Sequence, residues 1–187
     1  MFPLLTNSLP EPLKKALSGW GLSWGGWLDN RHGEWLLVAQ IILIAAHLLP
    51  AWPSPISMGI NWPLPIAISG ACLFYLGLIL AAQSFLRLGA SLSPLPDPKP
   101  GAGLVTTGAY QRSRHPLYQA IVISSAGVAI ALGSILHLFL LASLCKVLKS
   151  KAKREESQLL LLHSEYKSYR ANTPAIIPWI PMLDWRS

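Results

Sequence analysis

The sequence predicts an all-α, polytopic membrane protein, and three observations predict it. Of 187 residues, 52% are hydrophobic and only 12% are charged, about half the charged share of a soluble domain. The apolar residues gather into long runs free of Lys, Arg, Asp and Glu. The balance of +7 comes from bases that flank those runs, where they face anionic lipid rather than nucleic acid.

Residues 1–34 read as an amphipathic segment lying at the interface. Leu13, Leu17, Trp20, Trp24 and Trp27 recur at helical spacing, and tryptophan favours the headgroup zone. A cleaved signal peptide does not fit, because the apolar run starts late and no small-residue cleavage site follows it. Residues 35–88 carry two expected spans, from about Trp35 to Trp52 and from about Leu64 to Leu86, each close to the ~20 residues needed to cross hydrocarbon. A Pro- and Trp-rich turn separates them.

Residues 89–187 form the third part. Alternate prolines from Pro94 to Pro100 forbid regular helix. Pro116 suits the first position of a helix. The apolar stretch 117–148 has a turn signal at Gly133-Ser134, so it reads as a short helical hairpin. Its second arm continues as a charged amphipathic helix to about Tyr169, and Pro174, Pro178 and Pro181 end regular structure. In this four-span arrangement all 15 Lys and Arg residues fall on one side. The positive-inside rule then puts both termini, the 89–116 loop and the helical tail in the cytoplasm.

Ionisable chemistry therefore belongs at that surface, where three clusters converge. These are Gly108-Ala109-Tyr110-Gln111-Arg112-Ser113-Arg114-His115-Pro116-Leu117-Tyr118, then Arg154-Glu155-Glu156, then Glu165-Tyr166-Lys167-Ser168-Tyr169. Free N–H groups at a helix start, carboxylates, cations and aromatic faces suit a zwitterionic, adenine-bearing, cationic ligand. Physical chemistry alone does not single that ligand out. The plainer readings are that Arg112, Arg114 and the 146–154 basic run anchor headgroups and that Glu155 or Glu156 pairs with Lys151 or Lys153 one turn away. His47 and His137, within spans, are expected to make helix–helix hydrogen bonds. Cys72 and Cys145 sit in apolar runs without metal or disulfide spacing, and no metal site is expected.

The order Gly-x-Tyr-x-x-x-Arg-His-Pro-x-Tyr, hairpin, Arg-Glu-Glu-x-x-Leu, Glu-Tyr-x-x-Tyr and Ile-Pro, from about Leu104 to Pro178, resembles the isoprenylcysteine carboxyl methyltransferase family, which is related to the phospholipid N-methyltransferases. The resemblance implies a membrane methyltransferase using S-adenosylmethionine, with an acceptor entering from the bilayer, in the bacterial inner membrane of the shorter prokaryotic relatives. It implies that His115, Tyr118, Glu155 and Tyr169 line the cofactor pocket together with backbone at Leu104, Thr107 and Gly108. Arg114, Glu155 and Glu156 would carry the catalytic end. The chain departs from the family pattern at Asn172, where an Arg is usual and Arg170 stands nearby, and at His163-Ser164. The acceptor, lipophilic or small, carboxylate, amine or thiol, stays open. So do two other functions, an NADPH-dependent reductase of similar helical arrangement and a non-catalytic assembly protein.

Overall fold

The computed structural model describes residues 29–30, 32–88, 95–96 and 103–186. The interfacial segment expected at 1–34 lies almost wholly outside the described residues, as does most of the proline-rich loop. Among the described residues there are five α-helices and no strand: α1 Glu34–Ala46, α2 Leu64–Leu88, α3 Pro116–Leu132, α4 Ile135–Leu162 and α5 Tyr166–Asn172.

Helix α1 follows Gly33, whose φ of 77° is left-handed and costs glycine little. It ends at Ala46, earlier than the span expected to reach Trp52. The His47 ring takes up the Leu43 carbonyl at 2.7 Å, and Pro50, Pro53 and Pro55 prevent the helix from continuing. Thirteen residues reach only ~20 Å, short of the ~30 Å hydrocarbon layer. The remaining chain folds over the tip of the α3–α4 hairpin. Ser134 Oγ accepts the Trp52 N–H at 3.1 Å, and Trp62 Nε1 donates to the Ile130 carbonyl at 3.0 Å.

Helix α2 matches its expected span. Leu64–Arg87 has a mean hydropathy of 2.1 with 11% of its window buried. It is the one described helix long and apolar enough to cross a membrane. Leu64, Tyr75 and Leu86 are exposed, as a lipid-facing surface requires. The opposite stripe is small. A Cβ on Gly77 would stand 2.7 Å from Ser124 N, and one on Gly70 or Gly127 would meet the facing backbone as closely. Gly70 and Gly77 therefore let α2 lie backbone to backbone against Ala120, Ser124, Gly127 and Ala131 of α3, the packing that small residues permit in membranes. Among the described residues these glycines join helices of one chain.

The hairpin turn falls at Gly133 (φ 58°) and Ser134, where the sequence signals it. The two histidines expected within spans are satisfied by the hairpin: His47 meets Ser125 Oγ of α3, and His137 Nδ1 meets Ser134 Oγ at 2.8 Å. Helix α4 loses its apolar character after Leu148 and stops at Leu162. His163 is extended at φ −131°, ψ 108°, so the expected run to Tyr169 is two helices with a turn between them. That turn buries Tyr166. The tail folds back, with Ile176 N–H donating to the Leu183 carbonyl at 2.9 Å. Ala175, Ile176 and Leu183 close a core over Tyr118, Val122, Leu144, Leu148 and Ala152 at the open end of the hairpin.

Candidate active site

The site begins where the tail grips the segment before α3. Arg114 N–H donates to Pro174 O at 2.9 Å and His115 N–H to Ala175 O at 3.0 Å. Ser113 Oγ donates to Ala175 O at 2.8 Å. His115 is the residue before the first turn of α3, and Pro116 opens that turn, where a missing N–H costs nothing. Gripped this way, the side chains of Arg114 and His115 are presented to α4, which brings Glu155 and Glu156.

Glu156 is the hub. Its carboxylate accepts from His115 Nε2 at 2.9 Å and from Trp185 Nε1 at 2.8 Å. Arg114 Nε stands 3.2 Å from Oε1, an ion pair without the alignment of a hydrogen bond, and Arg170 Nε stands 3.6 Å from Oε2. The side chains of Arg114 and Glu156 are 0% and 3% exposed. Arg114 also donates to the carbonyls of Arg170, at 3.1 Å, and Trp185. Glu155 is more open, at 30% exposure, and lies 3.6 Å from His115 Nδ1. It accepts the Tyr118 hydroxyl at 3.1 Å. The His115 and Tyr118 rings stack at 5.2 Å, 3° from parallel.

The carboxylates decide the charge state. Burial alone would lower the His115 pKa, but the neighbouring carboxylates of Glu155 and Glu156 lift it to about 9, so the ring is an imidazolium at neutral pH. Burial opposes ionisation of Glu156, yet His115 and Arg114 hold its carboxyl below the usual range. Lys151 is buried too, which lowers its pKa to about 8. It does not pair with a glutamate one turn on. Its ammonium donates to Gln40 Oε1 of α1 at 2.8 Å and lies 5.5 Å from the Tyr118 ring, while Lys153 lies over Trp185.

Five residues singled out from sequence, Arg114, His115, Tyr118, Glu155 and Glu156, thus meet. Tyr169 is adjacent, its hydroxyl bonded to the Tyr110 carbonyl. Leu104, Thr107 and Gly108 are not bonded to this group among the described residues, and Gly108 packs against Arg87. Arg170, displaced from the family's usual position, is drawn to Glu156 all the same. Trp185 is unannounced by any motif, Ser113 fills an unspecified position of the first cluster, and Lys151 takes a partner other than the glutamate expected for it. The one signal for Trp185 is an isolated aromatic after the last proline.

Beside the hub a recess of about 380 Å³ is lined by Lys153, Glu156, Ser157, Leu160, Arg170 and Trp185, within the size range of small-molecule sites. It offers an indole plane, a carboxylate and two cations. The Tyr166 hydroxyl, buried nearby, has no hydrogen-bond partner among the described residues. This donor set fits an adenosyl amino acid. The described residues hold no cluster of metal-ligating side chains.

A search of curated proteins finds no match. A solved structure of the eukaryotic intramembrane Ras methyltransferase, isoprenylcysteine carboxyl methyltransferase, superposes with a TM-score of 0.55 at 25% identity. The match covers 80% of this chain and 54% of that one, so the chain spans about half the length of that enzyme. The family model described as phospholipid methyltransferase matches residues 66–163, which hold most of α2, all of α3 and α4, and both glutamates. This chain is a membrane protein of the phospholipid methyltransferase family.

Proposed function

We propose that the chain is an S-adenosylmethionine-dependent methyltransferase acting on a lipophilic acceptor. The observation that carries this is the hub itself: the segment before α3, helix α5 and the tail deliver Arg114, His115, Arg170 and Trp185 to one buried carboxylate, Glu156 of α4. Held cofactor would lie against Tyr118, Glu155 and Tyr169 and extend into the recess beside Arg170 and Trp185, with backbone at Leu104, Thr107 and Gly108 as further contacts. The two basic side chains suit the amino-acid carboxylate, and Trp185 suits the base.

When bound, that cofactor supplies an electrophilic methyl group. The protein contributes position and electrostatics. His115, protonated at neutral pH, is a fixed cation and not a base. Glu156 is saturated by its donors and orders Arg114 and His115. Glu155, partly exposed and sharing only Tyr118 and His115, is the group free to take a proton from an amine acceptor. A carboxylate acceptor would need no base.

The same reading places α1, α2 and the two hairpin arms as four crossings, with the short α1 and α3 seated in thinned bilayer or against protein. The basic ends, both termini and the site then face the cytoplasm, and residues 1–34, 35–88 and 89–187 act as anchor, span pair and catalytic part. Incubating the purified protein with methyl-labelled S-adenosylmethionine and a total membrane lipid extract tests the activity. Label is expected in the organic phase, and much less of it with Glu155→Gln if the acceptor is an amine. An unlabelled organic phase from folded protein argues against a lipophilic acceptor.

A further inference from the structure

A second cleft lies on the other side of α3. It measures about 790 Å³ and runs between the last turns of α2 and the loop that leads into α3. Arg87 and Arg112 line it from the two sides with Gln83, Gln111 and Gln119, and Leu80 and Leu86 form its apolar edge. None of the described residues that line it is acidic. The first turn of α3 separates it from the glutamate hub: Pro116 and Gln119 line the cleft, while His115 and Tyr118 bond to Glu156 and Glu155 on the opposite side.

The two arginines stand out among the cations. Arg114 and Arg170 face Glu156, and Arg186 faces Asp184. Lys151 is bonded to Gln40. Arg87 and Arg112 are exposed and have no carboxylate or side-chain hydrogen-bond partner among the described residues. Gly108, in a left-handed conformation at φ 65°, keeps the cleft wall open: a Cβ there would stand 3.3 Å from Arg87 Nε.

We propose that this cleft binds a phosphate group carried at the membrane surface, with Arg87 and Arg112 as its cationic contacts. Two forked guanidiniums and three amides offer more donors than the two oxygens of a carboxylate accept, and they suit the three or four oxygens of a phosphate. Arg87 sits in the last turn of α2, the end of the apolar span, where a lipid headgroup would lie and its chains would follow Leu80 and Leu86. The binding needs neither cofactor nor methyl transfer, so it stands or falls apart from the proposed activity.

The test is calorimetric titration of the full chain in neutral maltoside detergent with dioctanoyl phosphatidic acid, inorganic phosphate and dioctanoylglycerol. Saturable binding of phosphatidic acid is expected, weakened at least tenfold in the double variant Arg87→Gln/Arg112→Gln and within twofold of the parent in Lys167→Gln. The double variant should melt with the parent, since both arginines are exposed, and Arg87→Lys/Arg112→Lys should recover part of the affinity. Binding of phosphatidic acid without inorganic phosphate assigns the site to a lipid headgroup, and equal binding of both assigns it to phosphate from either source. Unchanged affinity in a folded double variant overturns the proposal. So does an equal loss in Lys167→Gln, or dioctanoylglycerol binding as well as phosphatidic acid.

Discussion

Replacing Glu156 with glutamine removes one negative charge from beneath three cations and an indole donor. Two routes give its cost. His115 is raised from 6.5 to about 9 by its glutamates, which corresponds to roughly 3 kcal/mol shared between Glu155 and Glu156. Independently, stranding the buried Arg114 guanidinium, 0% exposed, falls among broken buried ion pairs, at about 3–5 kcal/mol. The two overlap and do not add, so the expected loss is about 3–4 kcal/mol. For a chain of this length that is a fall in melting temperature of about 10 °C. The assay is thermal unfolding in detergent, read by the chain's own tryptophans, from pH 6 to 10. The sign follows from the raised folded-state pKa. His115's contribution is complete below about 6.5 and is lost as pH rises to about 9, so the gap between parent and Glu156→Gln should narrow between about pH 6.5 and 9 and level off above that. A fall under 2 °C, or a gap constant across the pH range, would refute the reasoning.

Other outcomes follow from the same structure. Lys151→Met should melt a few degrees higher than the parent at pH 7, because a buried ammonium with a pKa near 8 destabilises the fold below that pH. The advantage should close between about pH 8 and 10.5, where the folded parent sheds its proton before the unfolded chain does. Tyr118→Phe deletes the hydroxyl that donates to Glu155 at 3.1 Å and should cost about 1.5–3 kcal/mol, read as a lower melting temperature. Gly77→Val places side-chain atoms into the Ser124 backbone and should cost at least about 1–3 kcal/mol. Gly103→Ala, with nothing within 4 Å, should melt like the parent.

Composition and periodicity located α2 to within a few residues, the turn at Gly133-Ser134 and the start of α3 at Pro116. These features depend on local chemistry: an uncharged run, a left-handed glycine, a proline at a first turn. The convergence of Arg114, His115, Tyr118, Glu155 and Glu156 was legible because resemblance bound distant motifs together, not because spacing did. What stayed hidden depends on long-range contact. Helix α1 stops at Ala46 although its apolar run continues, because His47 and the prolines after it end the helix where the chain must turn over the hairpin. The 163–165 break has no glycine or proline to mark it, and burial of Tyr166 is its evident gain. Trp185 reaches Glu156 across 29 residues only because the tail doubles back through the Ile176–Leu183 contact. Lys151 looked like a surface partner of Glu155, yet α1 covers it and Gln40 takes its proton donor.

The central claim, that the hub and its recess hold an adenosyl cofactor, is tested most directly by calorimetric titration of S-adenosylhomocysteine into the purified protein, beside NADPH and a Trp185→Ala variant. Saturable binding of S-adenosylhomocysteine alone, weakened at least tenfold in the variant, is the predicted result. Absence of binding by folded protein, or binding of NADPH in its place, would contradict it.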